Sequence, residues 1–166
     1  MATIQFKKGD EYLAKLTKLE ALTRDEIIGT SLYGAADIVA NEIRSQLNQV
    51  PTDEGGYGSE GRIRAGPTKG QVKSLKATLG IASLQVVNGL VNVKIGWDGY
   101  NQIKTNRWPH GQPNQMVARS IERGTSFMQK HMFVSKAVKK TSKTALEFMR
   151  KNADAKIREL MQKRKG

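Results

Sequence analysis

The chain predicts an α+β fold, in which a small hairpin-based antiparallel β-sheet packs against a long N-terminal helix and a long C-terminal amphipathic helix. Apolar residues recur at steps of three and four over 24–49 and again from about Met132 onward. Between those stretches, two alternating segments flank Asn88-Gly89. A length of 166 residues suits one domain with its own hydrophobic core, spanning 1–166.

In chain order, Tyr12, Leu13, Leu16, Leu19 and Leu22 predict a short helix after Gly9-Asp10, with Asp10 as its N-cap. Ile28, Leu32, Ala35, Val39, Ile43 and Leu47 then fall on one face of a helix over Arg24–Gln49. Thr23 is placed to cap it, with Glu26 as capping-box partner, and Pro51 stops it beyond Val50. Residues 51–70 hold six glycines and two prolines with almost no large apolar residue. A long mobile loop, 51–72 at its widest, is expected there. Leu75, Ala77, Leu79 and Ile81, then Leu90, Val91, Val93 and Ile95, alternate about the Asn88-Gly89 turn. They predict a hairpin with strands near 74–86 and 90–97. An irregular stretch from Asp98 to Pro113 leads to a short helix over 115–123. Phe133, Ala137, Thr141, Ala145, Phe148, Ile157, Leu160 and Met161 mark a helix that would run for about 50 Å. That length overhangs so small a domain, so part of its apolar face is expected to meet another subunit. The closing Lys163-Arg164-Lys165-Gly166 has no apolar anchor and is expected to fray as a basic tail.

The net charge of +13 is concentrated at one end. Residues 1–48 carry six basic and seven acidic side chains, whereas residues 130–166 carry twelve and three. Such a field favours polyanions or an acidic protein neighbour. The absence of cysteine excludes disulfides, thiolate metal sites and a cysteine nucleophile. No run approaches the roughly 20 apolar residues of a bilayer span, and MATIQFKKGDEYL lacks the apolar core of a secretory signal. A soluble chain made inside the cell, with no membrane partner, is expected.

Catalytic constellations are not evident. His110 and His131 lie in separate segments away from any acidic cluster, so no metal site is expected, and Asp53 and Glu54 are adjacent rather than convergent. The loop GGYGSEGRIRAGPTKG has glycines suited to approach a phosphate, but Gln71 follows Gly70 where a nucleotide-binding loop needs Lys-Ser/Thr. No cofactor is expected. Its Arg62, Arg64, Lys69 and Lys73 are instead candidate contacts for DNA backbone or an adjoining subunit. Lys136, Lys139, Lys140 and Lys143, with Arg150 and Lys151, form a second cationic set suited to phosphates without reading sequence. Trp97, Tyr100 and Trp108 are expected as core or interface anchors.

Glu122 to Val138, ERGTSFMQKHMFVSKAV, resembles the signature of a family of tailed-bacteriophage neck or tail-completion proteins. That pattern runs Glu, aromatic, Gly-Thr-Ser, a spacer, Pro-Phe, and an Ala opening the last helix. Glu122, Gly124, Thr125, Ser126, Phe133 and Ala137 match it in place, whereas Arg123, Met132 and Lys136 replace an aromatic and two prolines. GIASLQVVNGLVNVKIGWDGYN and Pro113-Asn114 are similar to the hairpin and following loop of the same family in phages of Gram-positive hosts. With the N-terminal helices, the resemblance covers nearly the whole chain.

The resemblance implies a structural, non-enzymatic α+β subunit that forms a homo-oligomeric ring at the virion head-tail junction after synthesis in the bacterial cytoplasm. It would act as a neck, tail-completion or tail-terminator protein, continuing the DNA channel. Its partners would be copies of itself, a head-completion or adaptor protein on one side and a tail-tube or tail-terminator protein on the other. Nonspecific contact with double-stranded DNA is also implied. The six matched residues then have structural roles. A basic nonspecific DNA-binding protein is the alternative that the charge alone suggests.

Overall fold

A computed structural model describes residues 2–5, 21–55 and 61–163. The elements run β1 (Ala2–Gln5), α1 (Ala21–Gln49), α2 (Lys69–Thr78), β2 (Leu79–Ile81), β3 (Gln85–Val87), β4 (Leu90–Trp97), α3 (Asn114–Arg123) and α4 (Phe133–Lys163). The α+β class read from the sequence is the class observed. The helix expected over 10–22 falls mostly outside the described residues, as do positions 164–166 of the tail.

The alternation of β4 explains its central place. Val93, Ile95 and Trp97 are buried on one face, and the strand pairs antiparallel with β1 on one side and with β2 and β3 on the other. β2 and β3 amount to one strand with a bulge. Ile81 pairs with Ile95 and Gln85 with Asn92, so residues 82–84 span what Val93 and Lys94 span opposite. Ala82 N–H still bonds Lys94 O, and the Tyr33 hydroxyl of α1 accepts Leu84 N–H at 3.0 Å, pinning the bulge to the helix. Asn88 and Gly89 both take positive φ, 53° and 75°, as a two-residue hairpin turn requires.

The two long helices lie antiparallel. Ser31 on α1 donates to Asn152 on α4 at 3.0 Å, while Glu42 meets Lys140 at 3.0 Å. Between them and the sheet lies the core of Leu32, Ile43, Leu47, Leu75, Ile95, Phe133 and Met149, each at most 1% exposed. The Trp97 and Phe133 rings meet edge to face at 5.7 Å, and Trp97 Nε1 donates to Leu75 O, so its polar edge is satisfied inside the core.

Three expectations need correction. Residues 69–78 are helical, so 74–78 do not begin a strand, because Thr68 and Gln71 form a reciprocal capping box. Thr68 Oγ1 accepts Gln71 N–H at 3.1 Å and Gln71 Oε1 accepts Thr68 N–H at 2.9 Å, and Val72 and Leu75 then bury one face. Thr23 lies within α1 rather than at its cap, since the helix already includes Ala21. The third concerns only the end of the loop expected over 51–72, where α2 takes the last four positions; positions 56–60 of it lie outside the described residues.

Candidate functional site

The segment carrying the family resemblance is a joint between α3 and α4. Glu122, near the C-terminal end of α3, accepts from Val134 N–H at 2.8 Å, from Ser135 N–H at 3.0 Å and from the Ser135 hydroxyl. One carboxylate thereby satisfies two of the amides that open α4, where the helix dipole favours negative charge. Gly124 ends α3 at φ 74°, in the region that favours glycine, and a Cβ there would crowd Lys130 at 3.0 Å. The Thr125 hydroxyl accepts Phe127 N–H, Ser126 is exposed, and Phe133 and Ala137 fill the core. Met132 has φ 50°, which a proline ring cannot reach, so the entry to α4 differs from a Pro-Phe turn.

Two of the loop cations, Arg62 and Arg64, brace Asp53. The Asp53 carboxylate accepts Gly55 N–H at 2.9 Å and Ala65 N–H at 3.0 Å, and pairs with Arg62 at 2.8 Å. Those two amides, then Arg62, hold its carboxyl below the ordinary range against the opposing effect of burial. Arg64 is 3% exposed and donates to the Asp53 carbonyl. Its backbone is clasped on both sides, Arg64 N–H to Phe127 O and Gln129 N–H to Arg64 O. His131 Nε2 lies 2.6 Å from the Ala65 carbonyl, which can only accept, so the proton sits on Nε2. Gly66 fits because any Cβ would fall 1.8 Å from Pro51 O. Arg64, expected as a contact for DNA or a partner, is instead buried. Arg62 is engaged by Asp53, whereas the Lys69 and Lys73 side chains are exposed.

The lysines of α4 have the opposite setting. Its buried residues, Phe133, Ala137, Thr141, Ala145, Met149, Ala153 and Ile157, recur every four positions. Lys136, Lys139, Lys140 and Lys143 consequently face solvent. Only Lys140 of these four meets an acid, Glu42, whose carboxyl is lowered first by the Gln46 amide and then by Lys140. Val138, Leu146 and Met161 leave apolar side chains exposed on the same helix, at 38–55%.

Two further features were not anticipated. Val86, Val87 and Leu90, 71%, 48% and 47% exposed, leave the hairpin end apolar and uncovered among the described residues. Beside the α3–α4 joint lies a cleft of about 640 Å3 that gathers Arg119, Arg123 and Lys130. The spacing of Arg119 and Arg123 puts them on one helical face, but nothing in the sequence shows that a turn returns Lys130 to them.

Gln112 Oε1 accepts both Gln71 Nε2 at 2.7 Å and Asn101 Nδ2 at 3.1 Å, in a buried amide network that fastens residues 98–113 to α2. Trp108 is half-buried with Arg107 5.7 Å above its ring, and Tyr100 is exposed. His110 is exposed, and no group of three metal-ligating side chains occurs among the described residues. Comparison with protein-family models, with curated proteins and with solved structures finds no match.

Proposed function

We propose that this chain is a structural subunit of a tailed-phage head-tail junction, a neck, tail-completion or tail-terminator protein that assembles as a ring and performs no catalytic step. The observation that carries the reading is the apolar hairpin end, Val86, Val87 and Leu90, exposed and uncovered among the described residues. Exposed apolar groups on so regular an element suit a protein interface. Exposed Val138 and Leu146 on α4 add a second surface of the same kind. The resemblance over 122–138 points the same way, and the joint made by Glu122, Gly124, Thr125 and Phe133 gives those residues architectural work.

Light scattering of the purified chain, alone and with candidate head-completion and tail-tube proteins, tests the reading. A closed oligomer, alone or on mixing, is expected, and a monomer that ignores both partners would overturn it. A second reading, nonspecific DNA binding, is favoured by the exposed Lys136, Lys139 and Lys143. It predicts affinity that falls steeply with salt.

A further inference from the structure

The cleft beside the α3–α4 joint is lined by Gln115, Arg119, Arg123 and Lys130 together with Met132 and Val134. Arg119 and Arg123 stand one turn apart on α3, and the turn closed by Thr125 and Met128 returns the chain so that the Lys130 stem passes over Gly124. All three cations are exposed, and none forms an ion pair among the described residues. The one carboxylate in the lining, Glu122, is already committed to the α4 amides and the Ser135 hydroxyl. The cleft thus holds three positive charges against the single carboxylate of Glu122, which is turned to the α4 amides.

We infer that this cleft is a docking site for an acidic segment of a partner protein, with Asp or Glu side chains bound by Arg119, Arg123 and Lys130 and an apolar side chain seated toward Met132 and Val134. Charge complementarity selects the sign of the partner, and guanidinium groups bind carboxylates through paired hydrogen bonds. Exposed Met132 and partly buried Val134 in the lining offer contact to an apolar side chain of a peptide, which a run of phosphates does not supply. Duplex DNA is better matched by the convex lysine face of α4. This site does not depend on ring formation and extends to any partner that carries such a segment.

The test uses the full chain and two fluorescent probes, a short peptide alternating Glu with Leu and Phe, and a random-sequence DNA duplex, each titrated at moderate salt. Peptide binding is expected, with affinity falling about tenfold or more in Arg119→Gln/Arg123→Gln and changing little in Lys136→Gln/Lys139→Gln/Lys143→Gln. Each triple or double variant removes charge from exposed positions, and a thermal melt confirms that it remains folded. Arg119→Lys/Arg123→Lys, which keeps the charge but loses the fork, is expected to recover only part of the affinity. Equal losses in both sets of variants would reduce the effect to net charge and overturn the proposal. So would a peptide that does not bind, or duplex that displaces it and loses its own affinity in the Arg119/Arg123 variant.

Discussion

Arg62 and Arg64 in the glycine-rich loop and Lys136, Lys139 and Lys143 on α4 carry the same charge, but the fold uses them in opposite ways. Both arginines engage Asp53, the half-exposed Arg62 at its carboxylate and the buried Arg64 at its carbonyl, and hold a segment that has almost no apolar residue with which to pack. The lysines point outward because the regular apolar stripe beneath them already secures their helix. Cations serve as structure where hydrophobic burial is lacking and remain available to partners where burial suffices. Where apolar residues are few, the Asp53 carboxylate collects two backbone amides instead.

The largest effects are expected in the loop. Gly66→Ala must displace the Pro51 carbonyl and should cost at least the upper end of the roughly 1–3 kcal/mol typical of overpacking, read as a lowered urea midpoint. Arg64→Ala removes a buried donor from the Asp53 carbonyl and should cost about 1–3 kcal/mol by the same measurement. Values within error of wild type would break the comparison at its inward half.

Asp53 sharpens it through pH. Its carboxyl is lowered by the Gly55 and Ala65 amides and then by Arg62, so its contribution is complete at neutral pH and is lost as pH falls through the lowered value. Wild-type stability should decline on that acid limb, whereas Asp53→Asn should start lower at neutral pH and decline less. Parallel curves for the two proteins would remove Asp53 from the account.

Smaller effects belong to the outward residues. Alanine at Lys136, Lys139 or Lys143 should change stability by no more than about 0.5 kcal/mol each. If DNA is bound there, the log-log salt slope of its affinity should fall by about 0.9 for each lysine that contacts a phosphate. Val86→Ser with Leu90→Ser should leave the melting curve of the subunit nearly unchanged while reducing the mass of any assembly. A large stability loss would place the hairpin end in the core instead.

Most of the architecture was legible because its elements have long, regular apolar patterns. α1, β4, α3 and α4 each expose a period that few alternatives satisfy, and Asn88-Gly89 marks its own turn. Residues 69–78 were misread because Leu75, Ala77, Leu79 and Ile81 also alternate, and that short pattern outweighed a legible signal, the Thr68-to-Gln71 capping box. The Asp53 hub was illegible for a different reason. Its partners include a backbone amide twelve residues away, and amides carry no sequence signature. The solvent-facing lysines of α4 follow directly from its period, whereas the cationic cleft depends on a tight turn that places Lys130 beside α3.

β4 has a mechanical consequence. It carries every strand pairing in the described sheet, and its eight residues reach about 27 Å at roughly 3.4 Å each, from the uncovered end at Leu90 to Trp97 in the core. Force applied to the hairpin end would travel along one hydrogen-bonded rod and arrive at Trp97, whose ring braces Phe133 at the root of α4. A neighbour pulling on Val86 or Leu90 would pull against the whole subunit, making the hairpin a handle rather than a whisker.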